Sequence, residues 1–146
     1  MVQATPFLLV LFLALGAHGL STEKCNLTGF WKNDLGSNMT IFEVSKGGNF
    51  RGIYHTAVSA TTKKIEKSPL QGFQHINPLN QPTFGFTVNW TFSDSITVFT
   101  GQCFVNDKGK EVLETMWLLR SHADKLENDW TATLVGYNQF ERAEEQ

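Results

Sequence analysis

The sequence offers little to an enzyme. Its four histidines are His18, His55, His75 and His122, and none stands in an H-E-x-x-H or other paired-ligand spacing. No G-x-S-x-G occurs. The carboxylates gather in turns and in the C-terminal tail rather than alternating with aromatic residues. We therefore expect a binding protein and not a catalyst, with no metal and no cofactor. Charge of one sign is also scarce. Twelve Lys and Arg face fourteen Asp and Glu, a formal net charge of -2, so no basic stretch invites nucleic acid or an anionic membrane. Charged residues make up only 18% of the chain, which leaves room for a surface covered by a partner. Long apolar runs are missing but for residues 7–15, too short to span a bilayer. Small residues follow in Gly16-Ala17-His18-Gly19-Leu20-Ser21, although no Lys or Arg precedes the run. Residues 1–21 read as a secretory signal peptide, with a buried N-terminal strand as the alternative. Residues 22–146 then form one secreted, extracellular domain with no membrane anchor.

Cysteine is nearly absent too. Cys25 and Cys103 are the only two, and an even count on an oxidising route implies a disulfide; two free buried thiols are the alternative. Closing so long a loop contributes about 4 to 5 kcal/mol in the chain-entropy account. Three N-x-[ST] sequons mark a possible glycoprotein: Asn26-Leu27-Thr28, Asn38-Met39-Thr40 and Asn89-Trp90-Thr91. Asn38 follows the loop-like Leu35-Gly36-Ser37 and is the best acceptor.

What the chain does have is aromatic residues in alternation. Twelve Phe and four Trp can build a large core. Phe84, Phe86, Val88, Trp90 and Phe92 fall on one face of a half-buried strand, with Thr83, Gly85, Thr87, Asn89 and Thr91 on the other. After a turn at Ser93-Asp94-Ser95, the next run puts Ser95, Thr97 and Phe99 on one face and Ile96, Val98 and Thr100 on the other. A face that mixes hydroxyls with a ring suits a barrel lumen shaped for a small polar ligand. It also suits a hairpin in a solvated sandwich with its hydroxyls toward water. Strong helix signals are absent. Strands are expected over residues 29–33, 39–44, 50–56, 68–75, 83–92, 95–103, 111–119 and 130–140. A small, polar loop follows the third strand, a polar loop occupies 121–129, and a frayed tail begins at 141. Eight strands joined in order by short loops predict an all-β, antiparallel up-and-down barrel, with a two-sheet sandwich as the alternative. Met116, Val135 and Tyr137 point away from the lumen by parity, and such outward apolar residues call for a second copy of the chain.

Three blocks carry a resemblance. Asn33-Asp34-Leu35-Gly36-Ser37-Asn38-Met39-Thr40 resembles the first hairpin of the avidins. Residues 81–90, QPTFGFTVNW, and Thr115-Met116-Trp117-Leu118-Leu119-Arg120 resemble the same family, and the likeness runs from Cys25 to about Arg142. The resemblance implies the avidin barrel, high-affinity biotin binding and a homotetramer. It implies that Asn33, Ser37 and Tyr54 donate to the ureido oxygen, and that Thr56 and Asn138 accept from the ureido N–H groups. Thr97 lies near the sulfur, Trp90, Phe92, Phe99 and Trp117 wall the ring system, and Leu35 and Leu119 add apolar lining. Ser93, Ser95 and the backbone N–H groups of Ala60 and Thr61 meet the carboxylate, in a loop that also carries Val58 and Ser59. Ser59 stands where the family usually has Thr. Trp31 packs beneath the pocket. Trp130, opening the eighth strand, crosses to a neighbouring subunit's site. The sequence pI of about 6.1 departs from the basic egg-white relative, so nucleic-acid binding is not expected to carry over. A lipocalin-like carrier is the competing reading, but it would want aliphatics where Asn33, Ser37, Tyr54, Thr56, Ser95, Thr97 and Asn138 stand.

Overall fold

A computed structural model describes residues 24–78 and 80–145, so the expected signal peptide lies outside the described residues. Eight antiparallel strands close into one barrel in chain order. They are β1 (Gly29–Asn33), β2 (Asn38–Ile41), β3 (Asn49–His55), β4 (Ser68–Gln74), β5 (Thr83–Asn89), β6 (Ile96–Val105), β7 (Glu111–Arg120) and β8 (Thr133–Arg142). β8 returns to β1, with Trp31 opposite Arg142 and Asn33 opposite Phe140, which decides for the barrel over the sandwich. Strict alternation of exposed and buried residues along β3 is what a two-residue period predicts for a wall wet on one side. On β6, Thr97 and Phe99 face inward while Ile96, Val98 and Thr100 face out, so the hydroxyl-and-ring face is the lumen.

Some boundaries differ from expectation. β2 stops at Ile41, and β6 runs on to Val105. The eighth strand does not open at Trp130. Leu126–Thr131 winds into a 3-10 helix, with the Ala132 N–H donating to the Asp129 carbonyl, and β8 begins at Thr133. The apolar letters of Trp130 and Ala132 prolong the strand pattern in the sequence, but an Arg120–Asp129 ion pair ties this turn back onto β7. At the other end β8 reaches Arg142, beyond the expected start of the frayed tail. The Arg142 guanidinium bonds the Glu111 carboxylate and the carbonyls of Asn26 and Thr28, and it stacks 4.0 Å from the centre of the Trp31 ring. That clamp holds the last strand to the first.

Odd strands end, and even strands begin, at one mouth of the barrel. The opposite end is filled. Leu27, Trp31, Phe50, Phe84, Phe86, Leu113 and Phe140 are buried there, each large side chain contributing about 1.5–3 kcal/mol. The Cys25–Cys103 disulfide, with its Cα atoms 5.9 Å apart, pins the N-terminal segment to this filled end. The core thus forms a floor, and the space above it stays open.

Candidate functional site

Above that floor the mouth of the barrel holds a cavity of about 370 Å³, within the range of about 300–1,000 Å³ usual for small-molecule sites. Every ligand-site residue expected from the sequence lines it except Trp130. Trp90, Phe92, Phe99 and Trp117 form the walls, Leu35, Val58 and Leu119 add apolar surface, and Ser59, Ala60 and Thr61 edge the β3–β4 loop. The Tyr54 and Phe99 ring centres lie 5.6 Å apart, and Tyr54 meets Trp90 edge-on at 5.5 Å. Stiff rings of this kind fix the shape of a pocket before anything enters it.

The polar groups are ordered by their own protein partners. Asn33 Oδ1 accepts from the backbone N–H groups of Leu35 and Ser37 at 3.0 and 2.9 Å. Its Nδ2 must then face the lumen, where one N–H donates to the Tyr54 hydroxyl oxygen at 3.2 Å. Ser37 Oγ accepts from the Ala57 N–H at 2.9 Å. Each of the three side chains thus has an acceptor position filled by protein, and Asn33 keeps a second N–H to offer. Burial is the main cause that raises the Tyr54 pKa far above its ordinary value, and the Asp34 carboxylate pushes the same way. Hydrogen bonds with Ser37 and Asn33 oppose the shift without reversing it. The phenol stays protonated and remains a donor.

Two acceptors flank this trio. Thr56 Oγ1 donates to the Val58 carbonyl at 2.8 Å and accepts from the Val58 N–H at 3.3 Å, which commits its proton and one lone pair and leaves one lone pair to accept. The Asn138 amide donates from Nδ2 to Asp34 Oδ1 at 2.8 Å, so its Oδ1 faces inward and accepts from Trp117 Nε1 at 2.8 Å. Trp90 Nε1 donates to Thr97 Oγ1 at 2.8 Å, leaving the Thr97 proton available. Nearer the opening, the Ser93 and Ser95 hydroxyls bond each other. The Thr61 N–H donates to Ser59 Oγ at 3.1 Å, so that bond must be exchanged before the N–H can serve a ligand. No buried side-chain nitrogen or oxygen among the described residues lacks a partner.

Three lining residues escaped the sequence reading: Asp94, Ser121 and His122. Ser121 continues the inward parity of Trp117 and Leu119, a signal that could have been followed one step further. Asp94 and His122 sit in loops whose course parity does not give. Trp130 lies outside this chain's cavity and is 83% exposed on its 3-10 helix, which also carries the exposed Leu126. Met116, Leu118, Val135 and Tyr137 are exposed together on the outer wall, with Met116 opposite Tyr137 and Leu118 opposite Val135. Asn38 is half-buried at the start of β2, whereas Asn26 and Asn89 are exposed.

The family model described as the avidin family matches residues 21–143. Avidin of Gallus gallus is 61% identical over 146 residues, covering 97% of this chain and 96% of its own. Avidin-related protein 4/5 of the same organism is 58% identical, covering 92% and 89%. Among solved structures, that of Xenavidin superposes with a TM-score of 0.79 at 57% identity, covering 82% of this chain and 99% of its own. A biotin-binding protein from chicken gives 0.79 at 54% identity, covering 84% and 100%.

Proposed function

The chain belongs to the avidin family, and on that premise we propose that it is a secreted protein that binds biotin tightly in the lumen of its barrel. One observation carries the reading. Three side chains with filled acceptor atoms, Asn33 through Oδ1, Ser37 through Oγ and Tyr54 through Oη, line the cavity together with two acceptors, Thr56 Oγ1 and Asn138 Oδ1. A cyclic urea has the complementary set, one carbonyl oxygen between two N–H groups. Converging donors polarise that oxygen most strongly in a site shielded from water, and they need no reorganisation when it arrives. The Thr97 hydroxyl suits a thioether, and the four aromatic walls suit the fused rings. Family members are binding proteins rather than enzymes.

The same reading extends to assembly. The exposed Met116, Leu118, Val135 and Tyr137 support a homotetramer built on that wall, and the exposed Trp130 supports a lid delivered to a neighbour's site. The disulfide supports an oxidising compartment, and Asn38 remains the glycan acceptor of choice. A lipocalin-like carrier fits less well, because polar side chains stand where it would need aliphatics.

Trp90 and Trp117 lie in the cavity wall, so occupancy should quench tryptophan fluorescence. We expect quenching by biotin to end at one equivalent per chain. Unchanged emission with biotin, together with quenching by a fatty acid, would replace this reading with the carrier.

A further inference from the structure

Of the three sequons, Asn38 opens β2 and Asn89 closes β5, whereas Asn26 lies in the segment that precedes β1. A sequon suits a surface loop. Residues 24–27 alternate between exposed and buried, so the Asn26 side chain points outward while Cys25 and Leu27 turn into the core. The Cys25–Cys103 disulfide next door therefore leaves Asn26 uncovered. The backbone here is held from both sides. The Asn26 N–H donates to Glu111 Oε2 at 2.7 Å, and its carbonyl accepts from the Arg142 guanidinium. Asn26 Oδ1 accepts from the Thr28 N–H at 3.1 Å, which sets the amide and the sequon's hydroxyl residue in one turn. Among the described residues no partner takes the Asn26 amide nitrogen, the atom a sugar would join.

We propose that Asn26 carries an N-linked glycan on the filled end of the barrel. The proposal rests on the reading that the chain is secreted, because the sugar donor and its transferase are met on that route. In the step, Asn26 Nδ2 gives one proton to a base of the transferase and bonds the anomeric carbon of a lipid-pyrophosphate-linked oligosaccharide. The bond from that carbon to the pyrophosphate breaks, and the lipid pyrophosphate leaves with the electron pair. Glu111 opens β7 and Arg142 ends β8, so the sugar stands at the end opposite the mouth. It also stands clear of Met116 and Tyr137, which lie midway along those strands. Asn89 differs. It lies opposite the exposed Ile96, on the outer wall that continues through Val98 to Leu118, so a sugar there would occupy the apolar wall itself. Asn26 thus combines a free amide, a fixed turn and open space, with no cost to the lumen or to the outer wall.

The test maps the protein that animal cells secrete when they express the full chain. A glycan-removing amidase, used in heavy-oxygen water, converts a glycosylated Asn to a labelled Asp, and peptide mass spectrometry locates the label. We expect label at Asn26 in the wild type, its loss in Thr28→Ala and its retention in Thr28→Ser, which keeps the hydroxyl that the sequon requires. Asn26→Gln should migrate faster by one glycan and release biotin at the wild-type rate, because Asn26 is remote from the mouth. Secreted wild-type protein with no label at Asn26 overturns the proposal while the secretion and biotin readings stand. Label that persists in Thr28→Ala marks a deamidated side chain rather than a glycan, and overturns it too. Chain held inside the cells with no label at any sequon overturns the secretion reading, and the proposal with it.

Discussion

Tyr54 shows how one side chain can be prepared for a ligand it has not met. Its oxygen accepts from Asn33, and burial keeps its proton on. Tyr54→Phe removes one partner of a buried hydrogen bond and should weaken biotin binding by about 1 to 3 kcal/mol. The check is the dissociation rate, with circular dichroism to show that the barrel is intact. Because the folded-state pKa is raised, this group's stabilisation is fully present below its unfolded value of about 10. It declines as pH rises above that value, since the unfolded chain ionises there first and the folded chain holds its proton longer. A denaturation series at rising pH should show stability falling above about pH 10 in the wild type, with a shallower fall in Tyr54→Phe.

β8 carries Asn138 of the lumen together with Val135 and Tyr137 of the outer wall. Gly136 lies opposite Trp117, and a Cβ built there would come within 2.2 Å of the indole. The glycine is needed for space: the Trp117 ring lies across the strand's inner face to reach Asn138. Gly136→Ala should push the ring aside, cost about 1–3 kcal/mol of stability and loosen biotin through the lost Trp117–Asn138 bond. Paired thermal melts and ligand off-rates check both effects. A variant that melts and releases biotin as the wild type does would show that the ring has somewhere else to go. Much of this strand could be read in the sequence, since alternation put Asn138 and Phe140 inside and Val135 and Tyr137 outside. Its start could not be, because Trp130 and Ala132 continue the apolar pattern through what is a 3-10 helix. The barrel followed from a period of two, which also put Thr97 and Phe99 on one face, whereas most of the lining followed from the family resemblance. Hydrogen-bond directions at Asn33 and Asn138 did not follow, because they depend on backbone N–H groups in turns and on Asp34. The rim residues Asp94 and His122 depend on loop paths and were equally out of reach.

For the whole molecule, the filled end and the open end divide the labour. The disulfide and the Arg142 clamp close one end, and the other is left for a ligand. A lone barrel leaves Trp130, Val135 and Tyr137 in water. If Trp130 caps a neighbour's site, ligand binding and assembly are linked, so biotin should tighten the oligomer. Trp130→Lys removes the apolar lid and places a charge at a dry contact, which is costly. We expect that variant to sediment as smaller species and to release biotin faster, with the barrel unchanged by circular dichroism. An unaltered sedimentation profile together with an unaltered off-rate would leave Trp130 as an ordinary surface residue.

The binding expectations depend on biotin entering the lumen, and a calorimetric titration of the wild-type protein with biotin tests that most directly. A urea bound by preset donors and acceptors should release heat, and aromatic walls that lose water should make the enthalpy more negative as temperature rises. The account predicts a steep, exothermic transition that saturates at one biotin per chain. A titration with no saturable heat at any temperature would contradict it.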